Sequence, residues 1–101
     1  MNEQNASKTV EIVNPEGMHA RPADLFAKCA GKFTSTIAVI KPDGESIDGK
    51  SILSLLTLAA VKGTKLQIDA TGPDASEAVQ ALSDLVGSGF DASEMDMGSA
   101  T

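Results

Sequence analysis

His19 is the only histidine in a chain of 101 residues, and it stands in the stretch Gly17-Met18-His19-Ala20-Arg21-Pro22-Ala23. An imidazole is nucleophilic near neutral pH and forms covalent intermediates. Arg21 brings a permanent charge and a forked set of donors that suits phosphate oxygens. Pro22 fits the first turn of a helix, where the missing N–H removes only a donor that would be unpaired. Gly17 lets the backbone turn sharply ahead of the histidine. A helix beginning here would offer the unpaired N–H groups of Ala20 and Arg21, at the positive end of its dipole, to an anion. A nucleophilic nitrogen beside a ready-made oxyanion site is suited to carrying a phosphoryl group. The plainer reading, a solvent-exposed histidine at a helix cap, is weakened by the glycine, arginine and proline around it.

The elements that must position this stretch follow from patterning. Lys8 to Val13 alternates as a strand with Val10 and Ile12 inward, after a polar and patternless lead over residues 1–7. Asn14-Pro15-Glu16-Gly17 reads as a turn. A first helix is expected from about Ala20 to Ala30, with Ala23, Phe26, Ala27 and Ala30 as its buried stripe. A second strand over roughly Lys32 to Lys41 carries Phe33, Ile37 and Val39 on one parity, and Glu45 to Asp48 returns after a turn at Pro42-Asp43-Gly44. Ser51 is placed to cap a short apolar helix that starts at Ile52 and is expected to run on until Gly63 stops it. Lys65 to Ala70 alternates as a last strand. Asp74 with Glu77 three residues later has the form of a capping box. The helix it would open buries Ala75, Ala78, Val79, Leu82, Leu85 and Val86, and Gly87-Ser88-Gly89 stops it. Residues 91–101 form an acidic stretch without periodicity, expected as a mobile tail.

The resulting order is β-α-β-β-α-β-α in a single domain with its core at about residues 8–90. Spacing alone leaves the strand arrangement open, since a split βαβ of the ferredoxin-like kind shows nearly the same order. The core must be built mainly from Leu, Ile, Val and Ala, because the chain has three Phe and no Trp or Tyr. A net charge of −6 argues against a nucleic-acid partner. No apolar run reaches the length of a membrane span, and the first residues lack the basic and apolar regions of a signal peptide. A cytoplasmic protein without membrane insertion is therefore expected. Cys29, the single cysteine, rules out an internal disulfide and reads as a small buried hydrophobe. No Cys/His cluster suggests a metal, and no Gly-rich nucleotide loop occurs.

Gly17-Met18-His19-Ala20-Arg21-Pro22-Ala23 resembles the active-site signature of the histidine-containing phosphocarrier family, HPr, of the bacterial phosphoenolpyruvate-dependent phosphotransferase system. The resemblance runs over about residues 8–90. Thr-Val-Glu-Ile at 9–12, Ala-Thr-Gly-Pro at 70–73 and Ser-Gly-Phe-Asp at 88–91 are similar to its nitrogen-related branch, NPr.

The resemblance implies an α+β open-faced β-sandwich, a four-stranded antiparallel sheet with three helices on one face. It further implies a phosphocarrier that accepts a phosphoryl group on His19 from enzyme I and passes it to an enzyme IIA domain. Arg21 would stabilise the group together with the Ala20 and Arg21 N–H groups. Such a protein is a covalent relay rather than a stand-alone enzyme and needs no metal or cofactor. A monomer suits it. Ser51 matches a serine that HPr kinase/phosphorylase modifies in many bacteria, although a plain helix cap explains it as well. Met18, Ile52, Leu53 and Leu56 match positions that dock onto partners. So short a helix must also fill the core, and Leu53 and Leu56 are divided between the two roles while Ile52 is expected outside. Glu16 is a departure, since a carboxylate there would repel phosphate on His19. The alternative function is a regulatory, nitrogen-type phosphoprotein that controls partners by its phosphorylation state without sugar transport.

Overall fold

Residues 4–90 of a computed structural model are described. The elements follow as β1 (Gln4–Glu11), α1 (Ala20–Ala30), β2 (Thr36–Ile40), β3 (Ser46–Asp48), α2 (Ile52–Leu56), β4 (Lys65–Gly72) and α3 (Ala75–Gly87). The strands make one antiparallel sheet in the order β1-β4-β2-β3, with the three helices on one face. The expected open-faced sandwich is therefore the fold of this chain.

Period-two alternation decides the two faces of the sheet. Leu66, Ile68 and Ala70 of β4 and Ile37 and Val39 of β2 are buried beneath the helices, while Lys65, Gln67, Thr71 and Thr36 face solvent. The stripes of α1 and α3 close over that apolar face. Ala23, Phe26, Ala27 and Ala30 are buried on the first helix, and Ala75, Ala78, Val79, Leu82, Leu85 and Val86 on the last. β1 and β2 both run antiparallel to β4, so they are parallel to each other and α1 is the crossover that joins them. Glu11 pairs with Lys65. The loop from β1 into α1 therefore leaves the sheet where the segment ahead of β4 enters it.

Four expectations need correction. β1 begins at Gln4, within the stretch that read as a polar lead, because residues 4–7 pair with residues 69–72 through their backbones. An edge strand with one open face can do this without an apolar pattern. The acidic tail, residues 91–101, lies outside the described residues. α2 stops at Leu56, well before Gly63. Its next hydroxyl, on Thr57, donates back to the Ser54 carbonyl at 2.5 Å, Ala59 turns to φ +50°, and the Ala60 carbonyl accepts from Met18 N–H at 2.9 Å. That carbonyl is committed to tertiary structure rather than to the helix.

The other two corrections share a cause. Asp74 takes the N-cap position of α3, but its carboxylate makes no bond to that helix, so the capping box does not form. It reaches across the fold instead. Oδ2 accepts from the Thr34 N–H at 2.9 Å and the Thr34 hydroxyl at 3.2 Å, while Oδ1 accepts from the Ser35 N–H at 2.9 Å and the Ser35 hydroxyl at 2.5 Å. Thr34 and Ser35 are thereby held out of the strand ladder, which shortens β2 to Thr36–Ile40 and leaves Phe33 half-buried in the preceding turn.

These bonds lower the Asp74 carboxyl to about 2, the Ser35 hydroxyl contributing most and the Thr34 N–H next. A carboxyl lowered on folding stabilises the protein above its unfolded pKa of about 4, and the effect disappears as pH falls through its folded value. Thermal melts should therefore find Asp74→Asn less stable than the parent at neutral pH. The gap should close as the pH is taken from about 4 to about 2.

Candidate functional site

Two loops at one end of the sheet build the surroundings of His19. The chain leaving β1 is stitched to the segment ahead of β4 by Ile12 N–H to the Thr64 carbonyl (2.9 Å) and Gly63 N–H to the Ile12 carbonyl (2.7 Å). Gly17 N–H turns back to the Asn14 carbonyl at 3.1 Å, and Met18 N–H is anchored on the Ala60 carbonyl. Gly17 has φ +73° and passes so close to residues 60 and 61 that a Cβ would run into the Ala60 carbonyl oxygen. The signature thus enters its helix under tight backbone control.

His19 is the N-cap of α1, in extended conformation at φ −110° and ψ −164°. Its carbonyl accepts the first helical bond from Ala23 N–H at 2.9 Å. Its imidazole makes no capping bond and is exposed. Ala20 and Arg21 are exposed residues whose N–H groups precede any possible intrahelical acceptor, and Pro22 contributes none. No acidic residue occupies the first turn of α1, so nothing on that turn offsets the positive end of its dipole. Asp24 lies a turn further on and is paired with Lys28 at 3.1 Å in an exposed i,i+4 bridge. The helix start thus combines an imidazole with no hydrogen-bond partner among the described residues, two N–H groups without an intrahelical acceptor and a guanidinium within three consecutive residues.

α2 packs against α1. Ser51 caps it, its Oγ accepting from Ser54 N–H at 3.1 Å as the sequence suggested. Leu55 and, just beyond the helix, Leu58 fill the core, whereas Ile52, Leu53 and Leu56 stand exposed, Leu53 at 77%. Met18, grouped with them as a docking position, is only 4% exposed. Its N–H is bonded to the Ala60 carbonyl and its side chain belongs to the core rather than to the exposed surface. Val13 and Val61 are exposed apolar residues that escaped the sequence reading. Val13 takes the outward parity after Ile12, a usable signal, but Val61 lies in a loop with no period to read. Cys29 is buried as expected, and burial pushes its thiol above the usual range against a smaller opposing effect of Lys32.

The comparisons with known proteins agree with this architecture. The family model described as PTS HPr component phosphorylation site matches residues 6–88. The phosphocarrier protein HPr of Neisseria meningitidis serogroup A is 41% identical over 83 residues, covering 82% of this chain and 92% of that protein. The phosphocarrier protein NPr of Escherichia coli K12 is 38% identical over 84 residues, covering 83% and 93% respectively. Among solved structures, HPr of Thermoanaerobacter tengcongensis superposes with a TM-score of 0.80 at 41% identity, covering 84% of this chain and 94% of that one. HPr of Bacillus anthracis gives 0.77 at 36% identity, covering 81% and 96%. In sequence, strand order and the placement of its single histidine at a helix start, this chain belongs to the HPr family of phosphocarriers, which includes the NPr proteins.

Proposed function

We propose that this protein accepts a phosphoryl group on His19 from phosphorylated enzyme I and delivers it to a histidine of an enzyme IIA domain. The observation that carries the reading is the exposed, unbonded His19 ring at the start of α1, beside Arg21. The Nδ1 lone pair attacks phosphorus as the bond to the donor on enzyme I breaks, and the acceptor histidine then attacks the same phosphorus as the His19 N–P bond breaks. The Ala20 and Arg21 N–H groups and the Arg21 fork meet the phosphoryl oxygens, fixed donors where charge gathers. Transfer of this kind is chiefly positioning and electrostatics. The protein then acts as a covalent relay, with a partner supplying the phosphoryl group and another removing it.

The exposed side chains of Ile52, Leu53 and Leu56 provide the docking surface in this reading. An apolar cluster with a polar surround suits a small transient interface. Leu53→Asp should leave the melting temperature nearly unchanged because the side chain is 77% exposed. Steady-state kinetics with enzyme I should show its KM raised about fivefold to tenfold with kcat retained, the signature of lost binding at an apolar anchor. Ser51 is the site for regulatory phosphorylation, where a phosphate would meet the start of α2 and add charge beside that surface.

A second reading, regulation without sugar transport, is favoured by the segments at 70–73 and 88–91 and by the match to an NPr protein. Both readings are tested by loading the protein with phosphoenolpyruvate and enzyme I of the sugar type or the nitrogen type. Each product is then offered to enzyme IIA domains of both types. Loading and onward transfer within one pair assigns the branch; loading without onward transfer to any IIA domain contradicts the relay.

A further inference from the structure

Asn14 is buried to 8% exposure, and no step of the phosphoryl chemistry uses it. Its Nδ2 donates to the Gly17 carbonyl at 2.8 Å, while its Oδ1 is shut from solvent and has no hydrogen-bond partner among the described residues. An acceptor buried in that way loses its hydration with nothing in return, so an apolar side chain of equal size would serve stability at least as well. The amide is best explained by the one bond it makes. The Gly17 carbonyl that it holds also accepts from His19 N–H at 3.1 Å, and the N–H of the same peptide group, that of Met18, donates to the Ala60 carbonyl at 2.9 Å. Both polar atoms of the Gly17–Met18 peptide are therefore fixed. Asn14 supplies the only side chain among the groups that fix them, and it is itself tied down by Gly17 N–H on its carbonyl.

We infer that Asn14 is a positioning residue for phosphoryl transfer at His19. By binding the Gly17 carbonyl toward the interior it keeps that carbonyl's negative end away from the phosphoryl group. It also fixes where the histidine backbone enters α1, and hence where the imidazole stands relative to the Ala20 and Arg21 donors. Small displacements of a reacting group are costly in rate even when binding is unaffected. The inference rests on the relay reading given above.

Asn14→Leu tests it, because leucine keeps the branching of asparagine with a somewhat larger side chain, removes the unpaired oxygen and cannot hold the Gly17 carbonyl. Steady-state phosphorylation by enzyme I and phosphoenolpyruvate should show kcat reduced about tenfold with KM unchanged. The melting temperature should be kept or raised, and amide exchange at His19 should quicken relative to the core. Asn14→Ala, measured at a temperature where circular dichroism finds it fully folded, should show the same split and covers the case in which leucine does not fit. A merely structural asparagine predicts the reverse, a lowered melting temperature with kcat intact, and that result would overturn the inference. So would phosphorylation of either folded variant at the parent's rate. Failure of the parent protein itself to take up phosphoryl would instead overturn the relay reading, and this inference with it.

Discussion

His19→Ala should leave a folded protein that takes up no phosphoryl group at all. The two halves of this expectation rest on different features. Folding is spared because the ring is exposed and makes no capping bond, so the substitution removes neither core volume nor a hydrogen bond. Substitutions at such surface positions shift stability by no more than about 0.5 kcal/mol. Uptake is lost because no other histidine exists in the chain to take over the role. Cys29, the remaining soft nucleophile, is buried with its thiol pushed toward the neutral, unreactive form. Chemical denaturation and intact mass after incubation with phosphoenolpyruvate and enzyme I separate the two effects. A variant that melts like the parent but stays unmodified is the expected result.

Gly17→Ala should be damaging for a reason with no chemistry in it. A methyl at this position would run into the Ala60 carbonyl oxygen and lie 3.0 Å from the Val61 Cα, both backbone atoms. The φ of +73° adds the penalty that a Cβ meets in the left-handed region. Overpacking against atoms that cannot rotate away costs about 1–3 kcal/mol, and the left-handed backbone about 1–2 kcal/mol. Together they predict a loss of about 2–5 kcal/mol in denaturant unfolding. Relief would come only by moving the loop off Ala60, which would break the Met18 N–H bond and shift His19 as well. Phosphoryl uptake by the fraction that remains folded should therefore also fall. A variant as stable as the parent would mean that residues 59–61 do not press on the signature as described.

What the sequence revealed and what it concealed follow from the range of the interactions involved. α1 was legible to the residue, since Pro22 marks its start, the Ala23-Phe26-Ala27-Ala30 stripe sets its face and Gly31 follows its end. The last helix and the inward parities of β2 and β4 were legible for the same reason, because burial on one face imposes a period. Residues 4–7 were not, because an edge strand held by backbone pairing needs no apolar period. The partners of Asp74 lie 39 and 40 residues away in sequence, beyond any local signal, and they override a capping box that is well formed in the sequence. The loop after α2 and the segment carrying Met18 are likewise joined by a tertiary bond, from Met18 N–H to the Ala60 carbonyl, that no local pattern announces. In the candidate site, His19, Ala20 and Arg21 could be proposed from the sequence because the residue types that suit a phosphoryl group are consecutive there. Asn14 could not, since its turn position gave no hint that its amide would be buried against the Gly17 carbonyl.

The central claim is that His19 itself carries the phosphoryl group, and mass spectrometry tests it most directly. The intact protein would be weighed after incubation with phosphoenolpyruvate and a catalytic amount of enzyme I, then digested at alkaline pH to locate the modification. The account predicts a single phosphoryl adduct that is lost in acid and maps to His19. An unmodified protein with both types of enzyme I, or an adduct that survives acid and maps elsewhere, would contradict it.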